Sequence, residues 1–79
     1  MTRAFVLVEA WPGHAREALR EILDCIGSGP VKSADLVHGP YDVIVELETP
    51  EDSRVLSNFV ADKIGCMRSV VRTTTCTIC

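Results

Sequence analysis

Residues 38–48 read HGPYDVIVELE, and the fold turns on how they are parsed. His38-Gly39-Pro40 is turn chemistry, with glycine supplying freedom in φ and proline fixing it. From Tyr41 onward the residues alternate. Tyr41, Val43, Val45 and Leu47 point one way and Asp42, Ile44, Glu46 and Glu48 the other, the period of two of a strand with one apolar face. The second set is too acidic for a sealed core yet carries Ile44, so that face is expected to be partly exposed or shared with a partner. Residues 31–37, on the near side of the turn, form a second strand and make the pair an antiparallel hairpin.

Outward from the hairpin, residues 4–10 (AFVLVEA) are a Val-rich run suited to a well-buried strand. Trp11-Pro12-Gly13 breaks that run ahead of a helical pattern from 14 to about 25. There Ala15, Ala18, Leu19, Ile22, Leu23 and Ile26 form an apolar stripe, opposite Arg16, Glu17, Arg20, Glu21 and Asp24. Gly27-Ser28-Gly29-Pro30 supplies the helix stop. Beyond the hairpin, Thr49-Pro50-Glu51-Asp52 opens a second helix, with Thr49 as cap, Pro50 in the first turn and two acids at the positive end of the dipole. Val55, Leu56, Phe59, Val60 and Ile64 give its buried stripe, Gly65 ends it, and residues 69–78 form a last strand rich in Val and Thr.

The element order is β-α-β-β-α-β, which predicts an α+β, ferredoxin-like sandwich of the dimeric α+β barrel type. Two helices cover one face of a four-stranded antiparallel sheet, and nothing in the chain covers the other. A dimer through the bare sheet face is the expected consequence. Composition agrees. A chain of 79 residues is one domain and buries only roughly 60% of its unfolded surface, yet this one is 47% hydrophobic with a mean hydropathy of +0.20. So much aliphatic surface on so small an object points to burial between subunits.

Eight basic and eleven acidic residues are dispersed along the chain, giving a net charge of −3. No Lys/Arg cluster is present to hold phosphates, so direct nucleic-acid binding is not expected. No run approaches the roughly 20 apolar residues of a membrane span. The opening MTRAFVLVEA reads as a strand and not as a cleavable signal, so the expected location is cytoplasmic. The four cysteines are then expected as thiols and not as a disulfide framework.

Cys76 and Cys79 have Cys-x-x-Cys spacing, but a redox pair belongs at a helix N-terminus and a zinc pair on a tight turn. At the end of a strand, positions 76 and 79 point to opposite faces, so neither a metal nor another cofactor is expected. His14 falls on the polar side of the first helical turn and reads as solvated. His38 flanks the hairpin turn. Gly39-Pro40-Tyr41-Asp42 reads in two ways: a turn whose Asp satisfies its own backbone, or a place where backbone approaches a ligand and Asp42 accepts from its ammonium. Period two aligns Thr73 with Thr75 and sends Thr74 the other way. The aligned pair is ordinary for an exposed strand, or offers two hydroxyls to a small polar ligand.

Gly39-x-x-Asp42 in the hairpin, followed in the last strand by Val70-x-x-Thr73-x-Thr75, resembles the effector-binding (RAM) domain of the Lrp/AsnC family of amino-acid-responsive transcriptional regulators. The resemblance spans essentially all of residues 1–79, and it implies a single such domain without a helix-turn-helix. It further implies sheet-paired dimers assembled into an octameric or decameric ring, with an amino-acid effector bound between dimers. By position, Gly39 would offer backbone to the effector, Asp42 would accept from its ammonium, and Thr73 and Thr75 would donate hydroxyls, with Tyr41 lining the pocket or the core. Ser69, where the family usually has Gly, and Gly65-Cys66-Met67, in place of a common Pro-Gly arrangement, depart from the pattern at the start of the last strand. The implied function is non-enzymatic amino-acid sensing, with output through a partner such as a full-length Lrp/AsnC regulator. The alternative is a small dimeric α+β barrel enzyme of oxygenase or isomerase type, whose cavity within the dimer would draw on His38.

Overall fold

The computed structural model describes residues 1–27 and 29–78. Four strands, β1 (Thr2–Ala10), β2 (Val31–Leu36), β3 (Val43–Thr49) and β4 (Val70–Thr77), form one antiparallel sheet in the order β2-β3-β1-β4. Helices α1 (Ala15–Leu23) and α2 (Ser53–Phe59) complete the βαββαβ, ferredoxin-like arrangement. β1 lies at the centre because it is the most apolar strand. Its burial alternates, with Ala4, Val6, Val8 and Ala10 sealed while Phe5, Leu7 and Glu9 stay half-exposed. Only one face of this expected well-buried strand is therefore closed off.

The closed face stacks Val6 opposite Val45 and Val8 opposite Val43. Ala18 and Ile22 of α1 seal it from above, together with Leu56, Val60 and Ile64. These spacings of three and four are the ones read from the sequence. Leu23 and Ile26 belong to the same stripe by spacing but stand 41% and 45% exposed, because α1 ends at Leu23 and the chain turns away.

Two local expectations are corrected. The cap of α2 is Asp52, not Thr49: its carboxylate accepts the Arg54 N–H at 3.0 Å, and the Thr49 hydroxyl instead accepts from Glu51 N in the preceding turn. Pro50 accordingly lies ahead of the helix and not in its first turn. The second helix also changes character. Residues Val60–Ile64 form a π-helical turn, closed by Gly65 N donating to Val60 O at 2.7 Å.

The open face carries Phe5, Leu7, Ile44, Thr74 and Cys76 along its middle. Ion pairs stand at both ends. Arg3 reaches Glu46 at 2.9 Å and Glu48 at 3.9 Å, Lys32 reaches Glu48 at 3.7 Å, and Arg72 meets Glu9 at 3.5 Å. The hydrogen bond from Arg3 holds the Glu46 carboxyl below its ordinary value of 4.5, helped by the charge of Lys32 and opposed by desolvation. A carboxyl lowered by folding adds stability that is present above its unfolded value and lost as pH falls through the folded one. The urea midpoint should therefore drop more steeply below pH 4.5 for the native chain than for Arg3→Met. Parallel curves would show that the pair contributes nothing.

Candidate functional site

The hairpin turn and the last strand, distant in sequence, meet at one end of β1. Asp42 N donates to Val8 O at 2.8 Å, and Val8 stands opposite Thr73. The Asp42 carboxylate turns inward and accepts the Ala10 N–H at 2.8 Å, beside the irregularity in register between Glu9 and Ala10. That bond satisfies an amide which the shifted pairing leaves without a regular ladder partner. Val37 N closes the turn onto Asp42 O at 2.9 Å. Inside the turn, Gly39 has φ of +145°, a conformation L side chains rarely adopt, and a Cβ built there would meet open space. Glycine is required at this position by its backbone and not by crowding.

Tyr41 departs from the alternation expected of it. β3 begins only at Val43, and the bend before it frees Tyr41 from the Val43–Val45–Leu47 face. Its hydroxyl lies 3.4 Å from that of Thr74, on the open face of the sheet. Thr73 and Thr75 stand opposite Val8 and Val6 and so share the helix-covered face, Thr73 half-buried and Thr75 exposed. The five residues singled out in the sequence thus fall into two groups around one corner. Thr74, set aside in sequence because it points away, is the residue that ties the hairpin to β4.

The remaining candidates lie elsewhere. His14 sits in the open, with Nδ1 2.9 Å from Glu17. His38, the residue the enzyme reading would draw on, lines a groove beside α1 with Arg16, Leu19 and Arg20. Cys76 is an exposed thiol opposite Phe5, and Cys79, its partner in the Cys-x-x-Cys spacing, lies outside the described residues. Among the described residues no three His, Cys, Asp or Glu side chains gather as a metal site, and no helix is long and apolar enough to cross a membrane. Ser69, one of the departures from the family pattern, is buried; its hydroxyl bonds Glu21 of α1 at 3.2 Å while its carbonyl accepts Trp11 N at 3.0 Å. It anchors the start of β4 to α1.

Solved structures share this architecture from end to end. FFRP-DM1 is 33% identical, with all of both chains covered and a TM-score of 0.87. The hypothetical protein PHS023 from Pyrococcus horikoshii is also 33% identical, with 100% of this chain and 90% of that one covered and a TM-score of 0.85. The transcriptional regulator NMB0573 of Neisseria meningitidis, solved as a complex with L-Met, shares the fold at 20% identity, over 99% of this chain and 49% of its own, with a TM-score of 0.80. No protein-family model matches the chain, and no curated protein sequence does. The class so defined is a regulatory, effector-binding type of domain. The chain belongs to the Lrp/AsnC (FFRP) family.

Proposed function

We propose that this domain binds an amino-acid effector at the corner built by Gly39, Tyr41, Asp42, Thr73 and Thr75, and that it does so as an oligomer. Protomers pair through the open sheet face, and the dimers join into a ring that brings a second copy against the corner. The observation that carries this reading is the meeting of the hairpin and β4 across Val8, with Tyr41 against Thr74. Asp42 and Thr73 flank Val8 towards the helix-covered face, and the Tyr41 and Thr74 hydroxyls meet on the open face of the same corner; this supply of donors and acceptors supports a small polar ligand. The L-Met bound to the neighbour NMB0573 supports the same ligand class. An effector that binds one assembly state better than another shifts the population toward it, and a full-length regulator that co-assembles would convert that shift into DNA occupancy.

Thermal-shift measurements against the common amino acids test the ligand, and solution mass with and without the best of them tests the assembly. A ligand at a hundred times its Kd should add about 2.7 kcal/mol, about 10–20 °C in Tm for a domain of this size. Asp42 needs two replacements because its carboxylate also holds Ala10 N–H. Asp42→Ala strands that amide and should cost about 1–3 kcal/mol with no ligand present. Asp42→Asn keeps an acceptor for Ala10 and removes the charge, so it should retain most of the stability and lose the response to amino acids. An unchanged response in Asp42→Asn sinks the assigned role of Asp42. No response from any amino acid leaves assembly alone.

A further inference from the structure

A groove of about 680 Å³ runs between α1 and the end of β2, away from the corner just described. Leu19, Leu23 and Leu36 give it an apolar lining. Leu23 and Leu36 are 41% and 43% exposed, whereas the core leucines Leu47 and Leu56 are sealed. Arg16, Arg20, Asp24 and His38 supply the polar lining.

The arginines are the unusual part. They are four residues apart on one helix, which makes them neighbours on its surface, and like charges at that spacing weaken a helix. The nearby acids do not neutralise them: Glu17 is 2.9 Å from His14, and Glu21 accepts from Ser69 at 3.2 Å on the other flank. Among the described residues neither Arg16 nor Arg20 makes an ion pair or a side-chain hydrogen bond. With Asp24 the only acid in the lining, the groove is locally cationic on a chain whose net charge is −3.

A pair of guanidinium forks is matched to a carboxylate, and three leucines are matched to an aliphatic tail. The volume lies within the roughly 300–1,000 Å³ of small-molecule sites. A zwitterion fits less well, because its ammonium would meet the same cations. We propose that the groove between α1 and β2 binds an aliphatic carboxylate of net negative charge, with the carboxylate on Arg16 and Arg20 and the tail along Leu19, Leu23 and Leu36. This site is separate in its residues from the amino-acid corner and stands or falls independently of it.

Calorimetric titration of the full chain at low salt with octanoate and with 4-methyl-2-oxopentanoate tests the proposal. Octylamine and leucine match the two tails and change the charge. At least one carboxylate should bind; octanoate alone would indicate a fatty-acid source and the oxo acid alone an oxo-acid source. The double variant Arg16→Gln/Arg20→Gln keeps good helix formers and should bind about tenfold or more weakly. The corresponding double Lys variant, charged but without the fork, should fall between. Asp42→Asn should leave carboxylate binding unchanged, which separates this site from the corner. The proposal is overturned if neither carboxylate binds, if octylamine or leucine binds as tightly in an arginine-dependent manner, or if the Gln variant keeps full affinity.

Discussion

Ile22→Ala should cost about 2–5 kcal/mol, the range for emptying a fully buried aliphatic site. Ile22 has no exposed surface, and it is the side chain by which α1 closes over the sheet, with Ala18 one turn earlier. Ala18 is too small to swing into the space left behind, and the strand residues below are Val and Ala held in register. The cavity therefore persists and its walls lose their contacts. A chain of 79 residues has a total stability of only about 4–12 kcal/mol, so this single change consumes a large part of it. Urea titration at fixed protein concentration gives the number, with Ile22→Val as a milder control at about 0.5–1.5 kcal/mol. A loss below about 1 kcal/mol for the alanine variant would contradict the packing of α1 described above.

Leu7→Asp should have the largest effect on assembly and a small one on the fold of a single chain. Leu7 lies on the central strand, between Ile44 and Thr74, on the face no helix covers. Its side chain is half-exposed, so an aspartate there meets water in an isolated protomer. Across a two-fold interface the same change places a charge among apolar side chains and repeats it from the partner. Like charges so juxtaposed cost several kcal/mol, which weakens pairing by about a thousandfold. Solution mass should fall to that of one chain while the far-ultraviolet circular dichroism is kept. An unchanged mass would rule out the open face as the pairing surface.

The order of elements was legible because both periodicities are strong. The stripe through Ala18 and Ile22 is helical over several turns, and residues 43–48 alternate without a fault. The facing of Thr73 and Thr75 followed from the same period of two, and the register against Val8 and Val6 gives it a physical partner. Failures came where one residue decides the geometry. Tyr41 looked like the first apolar position of β3, but the bend at Asp42, made to reach Ala10 N, puts it outside the pleat. Thr49 and Asp52 are both good caps by type, and only the path of the chain after Pro50 chooses between them. The π-helical turn at Val60–Ile64 leaves the spacing of Val60 and Ile64 intact, so no pattern marks it. The groove over Arg16 and Arg20 was unreadable for a different reason. Two arginines on a polar face look solvated until β2 and His38 are brought alongside.

On the proposed binding mode, the bond between the Asp42 carboxylate and Ala10 N–H becomes a gauge of occupancy. The residue after Ala10 is Trp11, the single tryptophan, with its indole about half in solvent and its amide fixed to Ser69. An effector ammonium that drew the carboxylate outward would free the Ala10 N–H, one peptide before the amide that carries the indole. The fluorescence of Trp11 should then follow ligand uptake with no label added, and Asp42→Asn, which keeps an acceptor for Ala10 and lacks the charge, should leave the signal still.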